Sequence, residues 1–381
     1  MGWTDRWLGV FLALTLLGLA CAPGGAPAAK PAAAPPAPAG NATAVAAAPA
    51  QAIPTNAQAA DAPLNPPVTV RAAVTGTIGD AGVFIAQEKG YFRAQGLDVD
   101  VSVFQAAQQT IPLLGSGQLE TATGGANAGL MNAVGQDIPI RIAAGTSTMY
   151  PGFRSQGYVV RKDLVDSGTF QGCPSFKGMR VANAADGNTG QIVFAHLLRS
   201  CGLALADTES VLMTFGDMLP AFRNRAIDAA FMIEPGLTVG TEEGLFTLYK
   251  SSDEVHPYQQ GGVLLYGPHF IANQRPAAER FMVAYLQGVR DYNDAFVKEI
   301  NKAEIVAILA RTTSLKDPAL IERMAPVGLN PDGYANMETL ASDIQWWIDN
   351  GYVKNRVDVS QVVDNTFVDY ALARLGPYAA R

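Results

Sequence analysis

Three cysteines, three histidines and a set of acids, amides and hydroxyls are the residues of this 381-residue chain whose types and spacing could do chemistry. Cys21 ends a short apolar run, whereas Cys173 and Cys201 lie within the body of the chain. His196, His256 and His269 are scattered, and metal ligands cluster at short fixed intervals, so no metal site is expected. Gly76, Gly79 and Gly82 follow a G-x-x-G-x-x-G spacing, which is not the nucleotide fingerprint, and no cofactor is expected. Neither a G-x-S-x-G elbow nor a plausible cysteine nucleophile is found, which speaks against an enzyme. What remains is binding chemistry. Thr77, Asp80, Gly125, Asn127, Thr146, Asp186, Asn188, Thr189 and Glu234 combine close backbone approach at glycine with directional hydrogen bonding from hydroxyl, amide and carboxylate groups.

The elements around these residues explain their selection. Apolar alternation predicts a strand over 68–74, a helix over 80–95, a strand over 97–104, a helix over 106–114, strands over 119–123 and 138–144, and a helix over 127–134. A second series begins after 158–161, with strands over 179–182, 210–215 and 229–233 alternating with helices over 189–200 and 218–224. Such alternation implies parallel sheets covered on both faces. Beyond 262–266 the pattern becomes helical, over 277–299, 302–311, 318–324, 337–350 and 367–375. Ligands of open parallel sheets lie beyond the carboxyl ends of the strands. That rule selects 75–80, 124–127, 145–148, 183–189, 215–217 and 234–235, and hence the nine residues named above. Asp80, Asn127 and Asn188 also sit where helix N-caps belong, and capping alone accounts for them equally well.

The amino-terminal region reads as an export signal. Arg6 precedes the apolar run 7–20, which is too short to span a bilayer, so residues 1–20 are expected to be a signal peptide. Gly18-Leu19-Ala20-Cys21 resembles the lipobox of bacterial lipoproteins, which implies acylation of Cys21 and attachment to a membrane; an ordinary cleaved signal is the alternative. Residues 21–66 are mostly Ala, Pro, Gly and Asn, a composition suited to a stiffened spacer. In an oxidising compartment Cys173 and Cys201 are expected to pair, worth roughly 3 to 4 kcal/mol in the chain-entropy description; two reduced buried thiols are the alternative. A net charge of -7 and a pI near 5.1 argue against nucleic acid, whose phosphates call for a basic face.

Ile85-Ala-Gln-Glu-Lys-Gly-Tyr-Phe-Arg-Ala-Gln-Gly-Leu97 resembles the first-helix signature of ABC-transporter solute-binding proteins of the nitrate, sulfonate and thiamine-pyrimidine class. Gly117-Gln-Leu-Glu120, Gly135-Gln-Asp-Ile-Pro-Ile140 and Ala226-Ile-Asp-Ala-Ala230 with Ile233-Glu-Pro235 follow in that family's order. The resemblance implies an α/β, bilobed periplasmic-binding-protein fold of type II, with two parallel-sheet-based lobes joined by a two-strand hinge near 158–161 and 263–266. One lobe would hold 67–160 and the return 265–381, the other 161–264. It further implies an extracytoplasmic, monomeric receptor that captures a small molecule between its lobes and delivers it to an ABC permease driven by cytoplasmic ATPases. A ligand sensor for a membrane receptor, or an enzyme on the same fold, would use the same cleft. Asp80, Asp186, Asp217 and Glu234 outnumber the bases near the selected loops, of which Arg154 is the foremost. This balance points to an organic ligand rather than a small inorganic anion, and leaves pyrimidine- or flavin-like compounds, aromatic acids and sulfonates open. Phe84, Phe104, Tyr150, Phe153 and Tyr266 are the aromatic residues placed to stack on such a ligand.

Overall fold

The computed structural model describes residues 62–104 and 109–379. Cys21, the signal 1–20 and the spacer up to residue 61 lie outside the described residues.

Two five-stranded sheets carry the fold. The first contains β1 (Val68–Val74), β2 (Leu97–Val103), β3 (Thr121–Gly125), β4 (Arg141–Thr148) and β10 (Gln260–Tyr266), in the order β2-β1-β3-β10-β4. The second contains β5 (Gln156–Arg161), β6 (Arg180–Asn183), β7 (Glu209–Leu212), β8 (Ala229–Ile233) and β9 (Phe246–Ser251), in the order β7-β6-β8-β5-β9. The two orders are the same once β5 is equated with β10. In each sheet that strand runs antiparallel to both its neighbours, while β1 to β2 and β3, and β6 to β7 and β8, are parallel. The sheets are therefore parallel apart from one strand, the first that the chain forms on arriving from the other lobe.

This arrangement moves the expected hinge. Residues 158–161 lie inside β5 and 263–266 inside β10, both near the middle of a sheet, so neither segment crosses between lobes. The crossings fall on 149–155 and 252–259, and they are tied to each other. Met149 N donates to Gln259 O at 3.0 Å, Tyr258 N donates to Met149 O at 2.7 Å, and Gly152 N donates to an Asp253 carboxylate oxygen at 2.8 Å.

Period-2 alternation places apolar residues on both faces of each sheet. Along β10, Val263 and Leu265 join one core and Leu264 and Tyr266 another. Along β5, Tyr158 and Val160 face one core of the second lobe and Val159 the other. The helices needed below are α1 (Ala81–Glu88), α2 (Ala128–Val134), α3 (Thr189–Arg199), α4 (Phe215–Arg223), α5 (Gly236–Glu242), α6 (Arg275–Val297), α7 (Lys302–Thr312), α8 (Pro318–Arg323) and α9 (Met337–Asp349). The helix expected over 80–95 breaks at Gly90, which has φ +74. Gly82 of α1 serves packing: a Cβ there would meet the Tyr285 ring at 2.5 Å, and one on Gly288 would meet Gly82 O at 2.3 Å, so this glycine pair lets α1 and α6 cross closely. Strand β9 has no counterpart in the sequence reading; its half-exposed residues and Lys250 blur the apolar alternation of an edge strand.

Both lobes carry the same internal clip. In the first, Arg71 N and Nε donate to one oxygen of Glu120 at 2.7 and 2.9 Å, and Nη2 donates to Gly117 O at 2.8 Å. In the second, Arg180 N and Nε donate to one oxygen of Asp228 at 3.0 Å each, and Nη2 donates to Arg225 O at 2.9 Å. Gly117 and Arg225, each three residues before the carboxylate, both have positive φ. The expected disulfide joins Cys173 to Cys201 across a Cα–Cα distance of 6.0 Å, fastening the segment Cys173–Phe176 to the residues that follow α3. Among the described residues no helix is long and apolar enough to cross a membrane.

Candidate ligand-binding site

The carboxyl ends of β1, β3 and β4 carry the selected loops of one lobe, and those of β6, β7 and β8 carry the selected loops of the other. Asp80 organises the loop after β1. It is 2 % exposed. One of its oxygens accepts from Thr75 Oγ1 at 2.8 Å and from Thr77 N at 3.0 Å, and the other accepts from Thr123 Oγ1 of β3. Burial pushes the Asp80 carboxyl above its usual range, against the opposing pull of the Thr123 and Thr75 hydroxyls. Its oxygens thus lock the loop to β3, and the exposed Thr77 is what the loop presents.

Gly125 ends β3 and is exposed, and Asn127 caps α2. Asn127 Oδ1 accepts from Leu130 N at 3.0 Å and Nδ2 donates to Gly125 O at 2.8 Å, so both ends of the amide serve local structure. Thr146 is 3 % exposed within β4. In the second lobe Asn188 caps α3, its Oδ1 accepting from Gln191 N at 2.8 Å, while Gln191 Oε1 accepts from Gly187 N at 2.7 Å. Thr189 is buried and its carbonyl accepts from Gln259 Nε2 at 3.3 Å. Asp186 is exposed on the same loop. Glu234 is buried: one oxygen accepts from Thr238 N at 3.0 Å, the other from Thr238 Oγ1 at 2.8 Å and Ala325 N at 3.2 Å. Burial raises its pKa.

Several contacts bring the lobes together, among them Ile192 of α3, which sits in the same core as Leu340, Ile344 and Trp347 of the first lobe. Asn127 and Asn188 pair as an isolated antiparallel bridge, with Ala128 N donating to Gly187 O at 3.3 Å. On another part of the rim Glu234 reaches Ala325, and Arg323 at the end of α8 pairs with Glu242 of α5 at 2.7 Å. Thr77, Gly125, Asp186 and Asn188 have accessible surface at these loops, whereas Asp80, Thr146, Thr189 and Glu234 are enclosed. Arg154 is taken by Glu254 at 3.6 Å. Of the aromatic candidates, Phe84 and Tyr266 belong to one core of the first lobe and Phe104 packs against its other core, while Tyr150 and Phe153 are half-buried on the first crossing, 5.8 Å apart between ring centroids.

Sequence reasoning missed the glutamines that open the antiparallel strands. Gln260 is fully buried and fully used: Oε1 accepts from Thr148 Oγ1 and Asn336 N at 3.2 and 2.9 Å, and Nε2 donates to Ser147 O and Gly262 O at 2.9 and 2.6 Å. Gln156 holds the equivalent place in β5, and its Nε2 is buried with no protein partner. The recurring Gln-Gly before an apolar run, at 156–157 and 260–261, is the signal that marks them. Asp343 of α9 was missed as well. It is 1 % exposed and holds the second crossing through His256 Nε2 and Gln259 Nε2, each at 3.0 Å.

The family described as NMT1/THI5 like matches residues 78–294. A Brucella abortus (strain 2308) protein whose name describes it as a binding protein is 26% identical over 246 residues, covering 64% of this chain and 70% of that one. The periplasmic nitrate-binding protein NrtA of Synechocystis PCC 6803 superposes with a TM-score of 0.67 at 14% identity, covering 81% of this chain and 89% of that one. The alkanesulfonate-binding protein SsuA of Xanthomonas axonopodis pv. citri, bound to MOPS, does so with a TM-score of 0.64 at 17% identity, covering 78% and 98%. The two-lobed fold is the one these binding proteins share.

Proposed function

The chain belongs to the NMT1/THI5-like family, and from that premise we propose that it is an extracytoplasmic solute-binding protein that captures a small organic molecule between its lobes and hands it to an ABC import permease. The observation that carries this reading is the facing of Asn127 and Asn188. Two loops at strand ends of different sheets meet there, so a molecule enclosed beside them would touch both lobes at once. A ligand that contacts both lobes stabilises the arrangement in which they meet, and the closed form is then the signal a permease can read.

The residues offered to the ligand are Thr77, Gly125, Asp186 and Asn188 at the surface of the cleft. Asp80, Asn127, Thr146, Thr189 and Glu234 act from behind them, by fixing loops and the lobe contact. Binding without turnover fits the names of the relatives and the absence from the sequence of a nucleophile with its base. Acylation at Cys21 would keep the receptor beside its permease, with 22–66 as the spacer, and one receptor presenting both lobes to one permease suits a monomer.

A thermal-shift screen of the full-length protein tests the reading. A ligand at a hundred times its dissociation constant adds about 2.7 kcal/mol. A shift with one compound class, and recovery of that compound unmodified, is expected; recovery of a converted product would make the protein an enzyme instead.

A further inference from the structure

The lobes also meet where α3 of the second lobe lies against α9 of the first, with Ile192 sharing a core with Leu340, Ile344 and Trp347. Next to this apolar seat, polar groups from three elements converge. Asp343 of α9, 1 % exposed, accepts from His256 Nε2 and Gln259 Nε2 of the second crossing at 3.0 Å each. The same Gln259 Nε2 donates to the carbonyl of Thr189, the first residue of α3, at 3.3 Å. His196, about two turns further along α3, has its ring centroid 4.8 Å from that of His256, and both rings are half-buried.

This group contains one carboxylate and two imidazoles. A carboxylate only accepts, so Asp343 fixes a proton on Nε2 of His256. Among the described residues no carboxylate pairs with His196. What faces it is His256 from the crossing, Arg199 from its own helix, and Asp343, already engaged, from α9. Burial, then His256 and then Arg199, hold the His196 pKa below the usual histidine range. Other charged groups on the elements packed here are turned elsewhere: Asp253 to Gly152 N at 2.8 Å, Glu254 to Arg154 and Lys250 at 3.6 Å each, Asp207 to Ala204 N at 2.8 Å, and Asp349 to Gln345 Nε2 at 2.7 Å, while Glu338 is exposed.

We infer that His196 and His256 form a proton-operated latch between the lobes: α3 stays seated on α9 while His196 is neutral, and a proton on His196, leaving two charged imidazoles to share one buried carboxylate, unseats it. A histidine that binds its proton less tightly in the folded state contributes stability that is full above its usual pKa and is lost as pH falls through the folded value. The latch therefore holds in neutral medium and loosens in acid. It is a property of the protein without ligand; on the solute-binding reading above it makes release acid-promoted, and its failure leaves that reading standing.

The test is backbone hydrogen exchange of the full-length protein without ligand, compared between about pH 7.5 and about pH 5 after correction for the intrinsic exchange rate. Protection of the α3 amides is expected to fall about tenfold in acid while that of β1 and β5 is retained, and His196→Gln, which takes up no proton there, is expected to abolish the fall. Histidine-detected NMR of the unmodified protein gives a second readout, in which His196 titrates below the ordinary histidine range and its protonation shifts the His256 signals. Unchanged protection in acid, a loss across all elements at once, the same fall in His196→Gln, or an ordinary titration of His196 overturns the inference.

Discussion

Asn127 and Asn188 are N-caps of two helices on different sheets, and they pair with each other across the two lobes. The same backbone turn that starts each helix therefore also forms a contact between lobes. Local capping and lobe closure cannot be separated at these positions, which is why a residue that only caps still shapes the cleft.

Replacing Asn188 by Ala removes the acceptor of Gln191 N and should cost about 1 kcal/mol of stability. Urea unfolding monitored by circular dichroism gives the value. Asn127→Ala should cost at least as much, because its amide also holds Gly125 O; a smaller loss there would mean that its second bond contributes nothing.

Removing the disulfide by Cys173→Ala with Cys201→Ala should lower stability by roughly 3 to 4 kcal/mol in the chain-entropy description, given a sequence separation of 28. Denaturation of the unmodified protein with and without reductant should show the same loss. The double variant should be indifferent to reductant.

The pH dependence carried by Asp80 has a definite sign. Its folded pKa lies above the usual 3.8, so the folded state binds the proton more tightly than the unfolded chain. Stability from this group is full below pH 3.8 and is lost as pH rises through the raised folded value. Asp80→Asn should remove that term, so the difference in melting temperature between Asp80→Asn and the unmodified protein should shift toward the variant as pH rises. A pH-independent difference would show that Asp80 does not titrate above its usual range.

Glu234 links α5 of the second lobe to Ala325 of the return segment. Glu234→Ala frees all three donors and should weaken ligand binding about tenfold, the equivalent of about 1.4 kcal/mol taken from the closed form. Small-angle scattering of the unliganded variant should give a larger radius of gyration. An unchanged radius with unchanged affinity would reduce the Glu234 contact to a local one.

Much of this was legible in the residues. Strand boundaries at 68–74 and 229–233 and the helix beginning at Thr189 follow from clean apolar periodicity, and the caps at Asn127 and Asn188 follow from residue type. Periodicity says nothing of strand order, so the antiparallel insertion of β5 and β10, and with it the place of the crossings, could not be read. Strand β9 shows itself indirectly at Gly157, where a Cβ would lie 2.6 Å from Ser251 Cα. The Arg71–Glu120 and Arg180–Asp228 clips span 49 and 48 residues, and only the fold brings such partners together. The use of the helix-start Thr238 N by Glu234 required coordinates.

The most direct test of the central claim is native mass spectrometry of the full-length protein purified without added ligand, followed by release, identification and re-addition of what it carries. One small organic compound bound at one per chain, rebinding and leaving unmodified, is the expected result. A protein that carries nothing and rebinds nothing from a cell extract, or that returns a chemically altered compound, would contradict the account.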